Sequence, residues 1–208
     1  VLGLVIGVLG LSAKEMSPEL SELLARTGYE NLARLLEELG LRTRAVYLPS
    51  MLCDGKSRAL IPLTGDIDAG ALGHHVDDRL IAGYGKAPED VGLLVSTPGG
   101  AAVEMLDQGP GSTVDEMTVA LTRIAVSSLR ISGSIALHEL GSRIEVCFSS
   151  ESVPTGWLSS ATEACIGSLP GSIAAALVAE ARACGVTIES EVVVRRLRTV
   201  TLLLKGVE

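Results

Sequence analysis

Two stretches of this chain alternate apolar and polar residues with a period of two, and they constrain the fold most. In the first, Ile131, Ile135 and Leu137 point one way and Ser132, Ser134 and His138 the other. Ile144, Val146 and Phe148 repeat the pattern after the turn signal Leu140-Gly141-Ser142. In the second, residues 186–194 and 197–205 flank Arg195-Arg196, with Ile188-Ser190-Val192 on one strand and Val200-Leu202-Leu204 on the other. Alternation on both sides of a short turn specifies a β-hairpin. A third hairpin is expected over residues 43–63, around Cys53-Asp54-Gly55-Lys56, with Pro62 near its end.

Helical patterns separate the hairpins. Ser17-Pro18 opens a helix with leucines at positions 20, 23, 24, 32, 35, 36 and 39, closed by Gly40 and interrupted at Thr27-Gly28. Thr113-Val114-Asp115-Glu116 is a capping box, and Val114, Met117, Leu121 and Ile124 hold helical spacing behind it. Residues 172–184 form an Ala-rich helix stopped by Gly185. Residues 91–96 read as a strand, the turn Thr97-Pro98-Gly99-Gly100 follows, and a helix starts at Ala101. Residues 64–90 read as an extended loop with room for one short helix or strand, and residues 149–162 as a loop. Hairpins alternating with helices imply an α+β domain with a largely antiparallel sheet. The helix–hairpin unit occurs twice, at 113–149 and 170–205, as in a pseudo-repeat, without residue-level identity.

Composition narrows the function. The chain is 47% hydrophobic but only 2% aromatic, so its core is aliphatic. Few aromatics and a formal charge of −8 argue against nucleic-acid binding, which uses stacking platforms and clustered cations. Cys53, Cys147, Cys165 and Cys184 form no C-x-x-C pair and read as free thiols in a reducing compartment. Residues 1–13 are uncharged, and the chain begins with Val inside that run. A spanning helix needs about 20 apolar residues. The run therefore reads as the exit end of a membrane helix, tethering one soluble domain over residues 14–208 that faces the cytoplasm. A buried N-terminal helix or strand is the alternative.

Three places suit chemistry. A strand entering Thr97-Pro98-Gly99-Gly100 leaves amides free at a helix start, where an oxyanion binds. His74-His75 lie near Asp66, Asp68, Asp77 and Asp78, but adjacent histidines diverge and no third is close, so a solvated acidic loop is expected rather than a metal site. Cys165, Gly167, Ser168, Gly171 and Ser172 enter the Ala-rich helix and suit either an anion or ligand cradle or close packing of the helix on the sheet, without the motif of a P-loop or dinucleotide fold. No cofactor is expected.

The Thr-Pro-Gly-Gly turn resembles that of membrane-associated serine–lysine peptidases of the signal-peptide-peptidase-A and stomatin-operon type. The resemblance implies a nucleophile at Ser134 or Ser132 and an oxyanion hole at Gly99 and Gly100. Here a capped helix precedes the serines and no lysine is suitably placed after them, which leaves His138 as the one base to nominate. Over residues 17–204 the chain also resembles an archaeal domain family of unknown function, with N-terminal membrane helices and a cytosolic α+β domain. That likeness rests on Leu35-Leu36-Glu37-Glu38-Leu39-Gly40-Leu41, Arg44-Ala45-Val46-Tyr47-Leu48-Pro49, Arg58-Ala59-Leu60-Ile61-Pro62-Leu63, Gly92-Leu93-Leu94-Val95-Ser96-Thr97-Pro98-Gly99, Pro170-Gly171-Ser172-Ile173-Ala174 and Val186-Thr187-Ile188-Glu189-Ser190-Glu191. It implies a membrane tether and names no reaction. The expectation is a non-enzymatic binding or regulatory module, with a serine hydrolase or an assembly protein acting through homo-oligomer or protein contacts as the rivals.

Overall fold

Eight antiparallel strands form one sheet in the spatial order Ile81–Gly83, Val91–Val95, Arg58–Pro62, Val46–Leu48, Gly185–Val194, Leu197–Lys205, Arg143–Ser149 and Ser134–Leu140, with helices packed against it. The computed structural model describes residues 18–65, 67, 75–150 and 160–205. The N-terminal apolar run, His74, Asp66 and Asp68 lie outside the described residues.

In chain order the elements are α1 (Pro18–Glu38), β1 (Val46–Leu48), a 3-10 turn (Ser50–Leu52), β2 (Arg58–Pro62), β3 (Ile81–Gly83) and β4 (Val91–Val95). Then come α2 (Pro98–Val103), α3 (Val114–Leu121), which widens into π geometry over Thr122–Ser128, β5 (Ser134–Leu140) and β6 (Arg143–Ser149). The chain closes with α4 (Ser160–Ile166), α5 (Leu169–Arg182), β7 (Gly185–Val194) and β8 (Leu197–Lys205). The α+β class and the three hairpins are as expected. The two helix–hairpin units meet through their second strands, β6 beside β8.

Alternation decides which side chains enter which core. Tyr47, Ala59, Ile61, Leu93 and Val95 face the helices, together with Val186, Ile188, Val200, Leu202, Ile144, Val146 and Phe148. The opposite faces of β1, β2 and β4 carry Val46, Leu48, Leu60 and Leu94 into a second core, closed by Cys53, Ile67, Val76, Ala82 and Tyr84. One half of the sheet is thus covered on both sides. The other half, β7-β8-β6-β5, has helices on one face only among the described residues. Its second face holds exposed Ser134, Ala136 and His138 with Val192, Val194 and Leu197.

Helix α5 lies at the centre of the helical layer. Residues Pro170 to Ala179 are all buried, and six of those ten side chains are no larger than serine. Small side chains let the helix approach β1 and β7 closely while α2 lies across it. The segment Ala161–Arg182 is apolar and long enough to cross a bilayer by composition, and 78% of its apolar window is buried inside the domain.

Several boundaries differ from those expected. Thr27-Gly28 does not break α1, which runs through both residues, and the Thr27 hydroxyl donates to the Leu23 carbonyl at 2.8 Å. Of the expected leucine stripes, Leu36 enters the core, while Leu23 and Leu39 are exposed. Helix α2 starts at Pro98, not Ala101, with Thr97 as its cap. Helix α4 replaces the end of an expected loop. Helix α5 ends on Ala183, which holds the left-handed cap at φ 50°, while Gly185 already belongs to β7.

Candidate functional site

At the start of α5, where an anion or ligand cradle is expected, the chain's own carboxylate Glu191 sits on the helix N-terminus. Ser168 caps the helix by accepting the Gly171 amide at 3.1 Å. The Ser168 amide donates to Glu191 Oε1 at 2.9 Å, and the Ser168 hydroxyl donates to Glu191 Oε2. Arg198 completes the group, its Nη1 2.9 Å from Glu191 Oε2. Both charged side chains are largely buried, 11% exposed for Glu191 and 19% for Arg198. A carboxylate at a helix N-terminus satisfies free amides and complements the macrodipole. Gly167 is left-handed at φ 73°, and a side chain there would meet Glu191 Oε1 at 2.6 Å; one at Gly171 would meet the same oxygen at 2.6 Å. Cys165 belongs to the core: it is 1% exposed, and burial pushes its thiol up.

Glu191 escaped the sequence reading because of a β-bulge. Ile188 pairs Leu202 and Ser190 pairs Thr201, so Glu189 is an extra residue. An extra residue inverts the alternation beyond it. Ile188 faces the core while Ser190 and Val192 face outwards, and Glu191 turns inward beside Val200. The expected grouping of Ile188, Ser190 and Val192 on one face is therefore corrected. The paired carboxylate–guanidinium spacing of Glu191 and Arg198 was the available signal, readable only with the bulge known.

The Thr97–Gly100 turn holds its amides inward. The Gly100 amide donates to Thr97 Oγ1 at 3.1 Å, and the Gly99 amide donates to Ser172 Oγ at 3.0 Å. Both glycines permit contact: a Cβ on Gly99 would lie 2.0 Å from the Ser172 carbonyl oxygen, and one on Gly100 would lie 2.7 Å from that of Ser57. Ser172 thus serves as an acceptor within the helix crossing.

The serines lie elsewhere. Ser132 precedes β5 and is 6% exposed, its hydroxyl 2.9 Å from the Ser134 carbonyl and 2.8 Å from that of Ser149. Ser134 Oγ meets Ser149 Oγ at 2.5 Å. His138 shares the Ser134 face but lies four residues along the strand, about 13 Å away at standard rise. Strand β5 is five places from β2 in the sheet, about 24 Å at standard spacing, whereas Gly100 abuts Ser57 at the β2 end. Ser132, Ser134, His138 and the Gly99–Gly100 amides are not brought together.

The described part of the acidic loop is an exposed ion-pair chain. His75 Nε2 lies 3.1 Å from Asp54 Oδ1, the Asp78 amide donates to Asp54 Oδ2 at 3.3 Å, and Asp78 takes a two-pronged contact from Arg58 at 3.0 and 3.1 Å. The Arg58 guanidinium holds the Asp78 carboxyl below its ordinary range. No group of three metal-ligating side chains occurs among the described residues.

Beside the Thr97–Gly100 turn a cleft of about 200 Å³ opens between the β2 and β4 ends, lined by Lys56, Arg58, Ser96, Thr97 and Glu104. It carries cations, a carboxylate and hydroxyls within a few residues of the predicted turn. Comparisons with protein-family models, curated proteins and solved structures find no match to this chain.

Proposed function

We propose that the chain is a non-enzymatic binding or regulatory domain of an archaeal membrane protein, tethered by its N-terminal segment and facing the cytoplasm, with the cleft at the Thr97–Gly100 turn as its ligand site. One observation carries this reading. Ser132, Ser134, His138 and the Gly99–Gly100 amides, which catalysis would need together, are held apart by the strand order, while the cleft presents Lys56, Ser96 and Glu104 to solvent. A cleft of this size with both charge signs suits a small polar ligand carrying an anionic group and a hydrogen-bond donor. Pockets with a few converging polar groups are the default binding sites of a fold.

A second reading, assembly with another copy or a protein partner, is favoured by exposed Val192, Val194 and Leu197 on the open face of β7-β8-β6-β5, because exposed apolar patches mark interaction sites. The experiment that tests the first reading is an amide-resolved NMR titration with inorganic phosphate, acetate and glycine in turn. Shifts centred on Ser96, Thr97 and Glu104, and lost in Lys56→Gln, are expected for at least one of them. Shifts confined to the β5–β8 face, or none with any of the three, would overturn the cleft as the site.

A further inference from the structure

The tip of the β7–β8 hairpin combines features that the ligand reading leaves unused. Strand β7 pairs with β1 only at Val186 and Thr187, so its outer part has β8 as its single ladder partner among the described residues. Val192, Val194 and Leu197 lie together on the uncovered sheet face, 53%, 60% and 44% exposed. Register places them there: Val194 pairs Leu197 and Val192 pairs Thr199. The connection between the strands is Arg195-Arg196, both exposed. Neither makes an ion pair among the described residues, which is also true of Arg26, Arg34, Arg42, Arg44, Arg79 and Arg130, while Arg58, Arg123, Arg143, Arg182 and Arg198 each hold a carboxylate.

Arg195 adopts φ 59°. Two-residue hairpin loops normally place Gly, Asn or Asp in that region, since a side chain there is strained. The tip therefore carries an arginine in a backbone conformation shared by four other non-glycine residues among those described, Arg130 among them. Apolar side chains beside unpaired arginines match a lipid surface: the apolar groups enter the headgroup–acyl boundary and the guanidiniums meet phosphate. The rest of a chain of charge −8 repels that surface, so the tip fixes the orientation of approach.

We propose that this hairpin tip docks on an anionic bilayer surface, with Val192, Val194 and Leu197 at the headgroup boundary and Arg195 and Arg196 on lipid phosphates. The proposal deepens the membrane setting proposed above, and the test separates the two. The full chain is cosedimented with vesicles of phosphatidylcholine, with and without phosphatidylglycerol, across a salt series. Added phosphatidylglycerol strengthens binding, and salt reverses the gain. Arg195→Gln with Arg196→Gln lowers partitioning onto anionic vesicles by about 30-fold, from roughly a factor of five per arginine, and leaves neutral-vesicle binding unchanged. Val194→Ser with Leu197→Ser lowers anionic-vesicle binding while the salt dependence stays. Unchanged circular dichroism melting shows that both variants fold. Wild-type binding indifferent to lipid charge, or double-arginine variants that partition like wild type, would overturn the hairpin contact. Neutral-vesicle binding reports the N-terminal tether independently, because it persists in both variants if that reading is correct and is absent throughout if it fails.

Discussion

At the scale of single residues, close approach and backbone conformation explain positions that composition leaves ambiguous. Gly99 sits where a Cβ would fall 2.0 Å from a backbone oxygen of α5. Gly99→Ala therefore forces α2 off α5 and is expected to cost about 3 kcal/mol, as overpacking does at its upper range, read by urea unfolding. Ala183 presents the opposite case, an L residue in the left-handed cap of α5. Ala183→Gly removes that strain and should stabilise by about 1 kcal/mol in the same assay. Cys53 is fully buried, and burial pushes its thiol up to about 11. The folded state therefore resists ionisation that the unfolded state accepts. The sign follows: stability is unaffected below the ordinary thiol range and falls as pH rises from there towards about 11. Cys53→Ala should flatten that alkaline decline in a pH series of melting temperatures.

At the scale of elements, legibility in the sequence tracked local periodicity. Hairpins β5–β6 and β7–β8 were readable because Ile144, Val146 and Phe148, and Val200, Leu202 and Leu204, alternate without interruption. Helix α3 was readable from its capping box, and Thr113 and Glu116 do exchange both bonds. Helix α4 was not, because seven residues between loops give too short a window for a period of 3.6. The occupant of the α5 cradle was hidden for a different reason. The bulge at Glu189 changes which residues face inward, and nothing local to Ser168 or Gly171 indicates a carboxylate some twenty residues later. The Glu191–Arg198 pair predicts a non-additive mutational pattern. Glu191→Ala leaves Arg198 without this carboxylate and the Ser168 amide and hydroxyl without their acceptor, and should cost about 3 kcal/mol. Adding Arg198→Met should recover part of that loss, because an aliphatic chain tolerates the site once the carboxylate is gone. Equal and additive losses in a double-mutant cycle would contradict the coupling.

At the scale of the whole molecule, the sheet divides into a doubly covered half and a half with one face open among the described residues. The first carries the cleft at the Thr97–Gly100 turn, and the second carries the hairpin tip. The α+β class was legible as a whole, since alternating hairpins and helices admit few arrangements. The strand order was not, because pairing β1 with β7 joins segments about 140 residues apart, and no local pattern records such a contact. The sequence also placed Ser132, Ser134, His138, Gly99 and Gly100 in one hypothetical site that the strand order separates.

The proposed reading stands or falls on one claim, that neither Ser132 nor Ser134 is an activated nucleophile and that the domain is a binding module. Fluorophosphonate labelling of the purified chain beside Ser132→Ala and Ser134→Ala variants tests it most directly. The account predicts no labelling under conditions that label a control hydrolase. Labelling of the wild-type chain that disappears in either variant would contradict it.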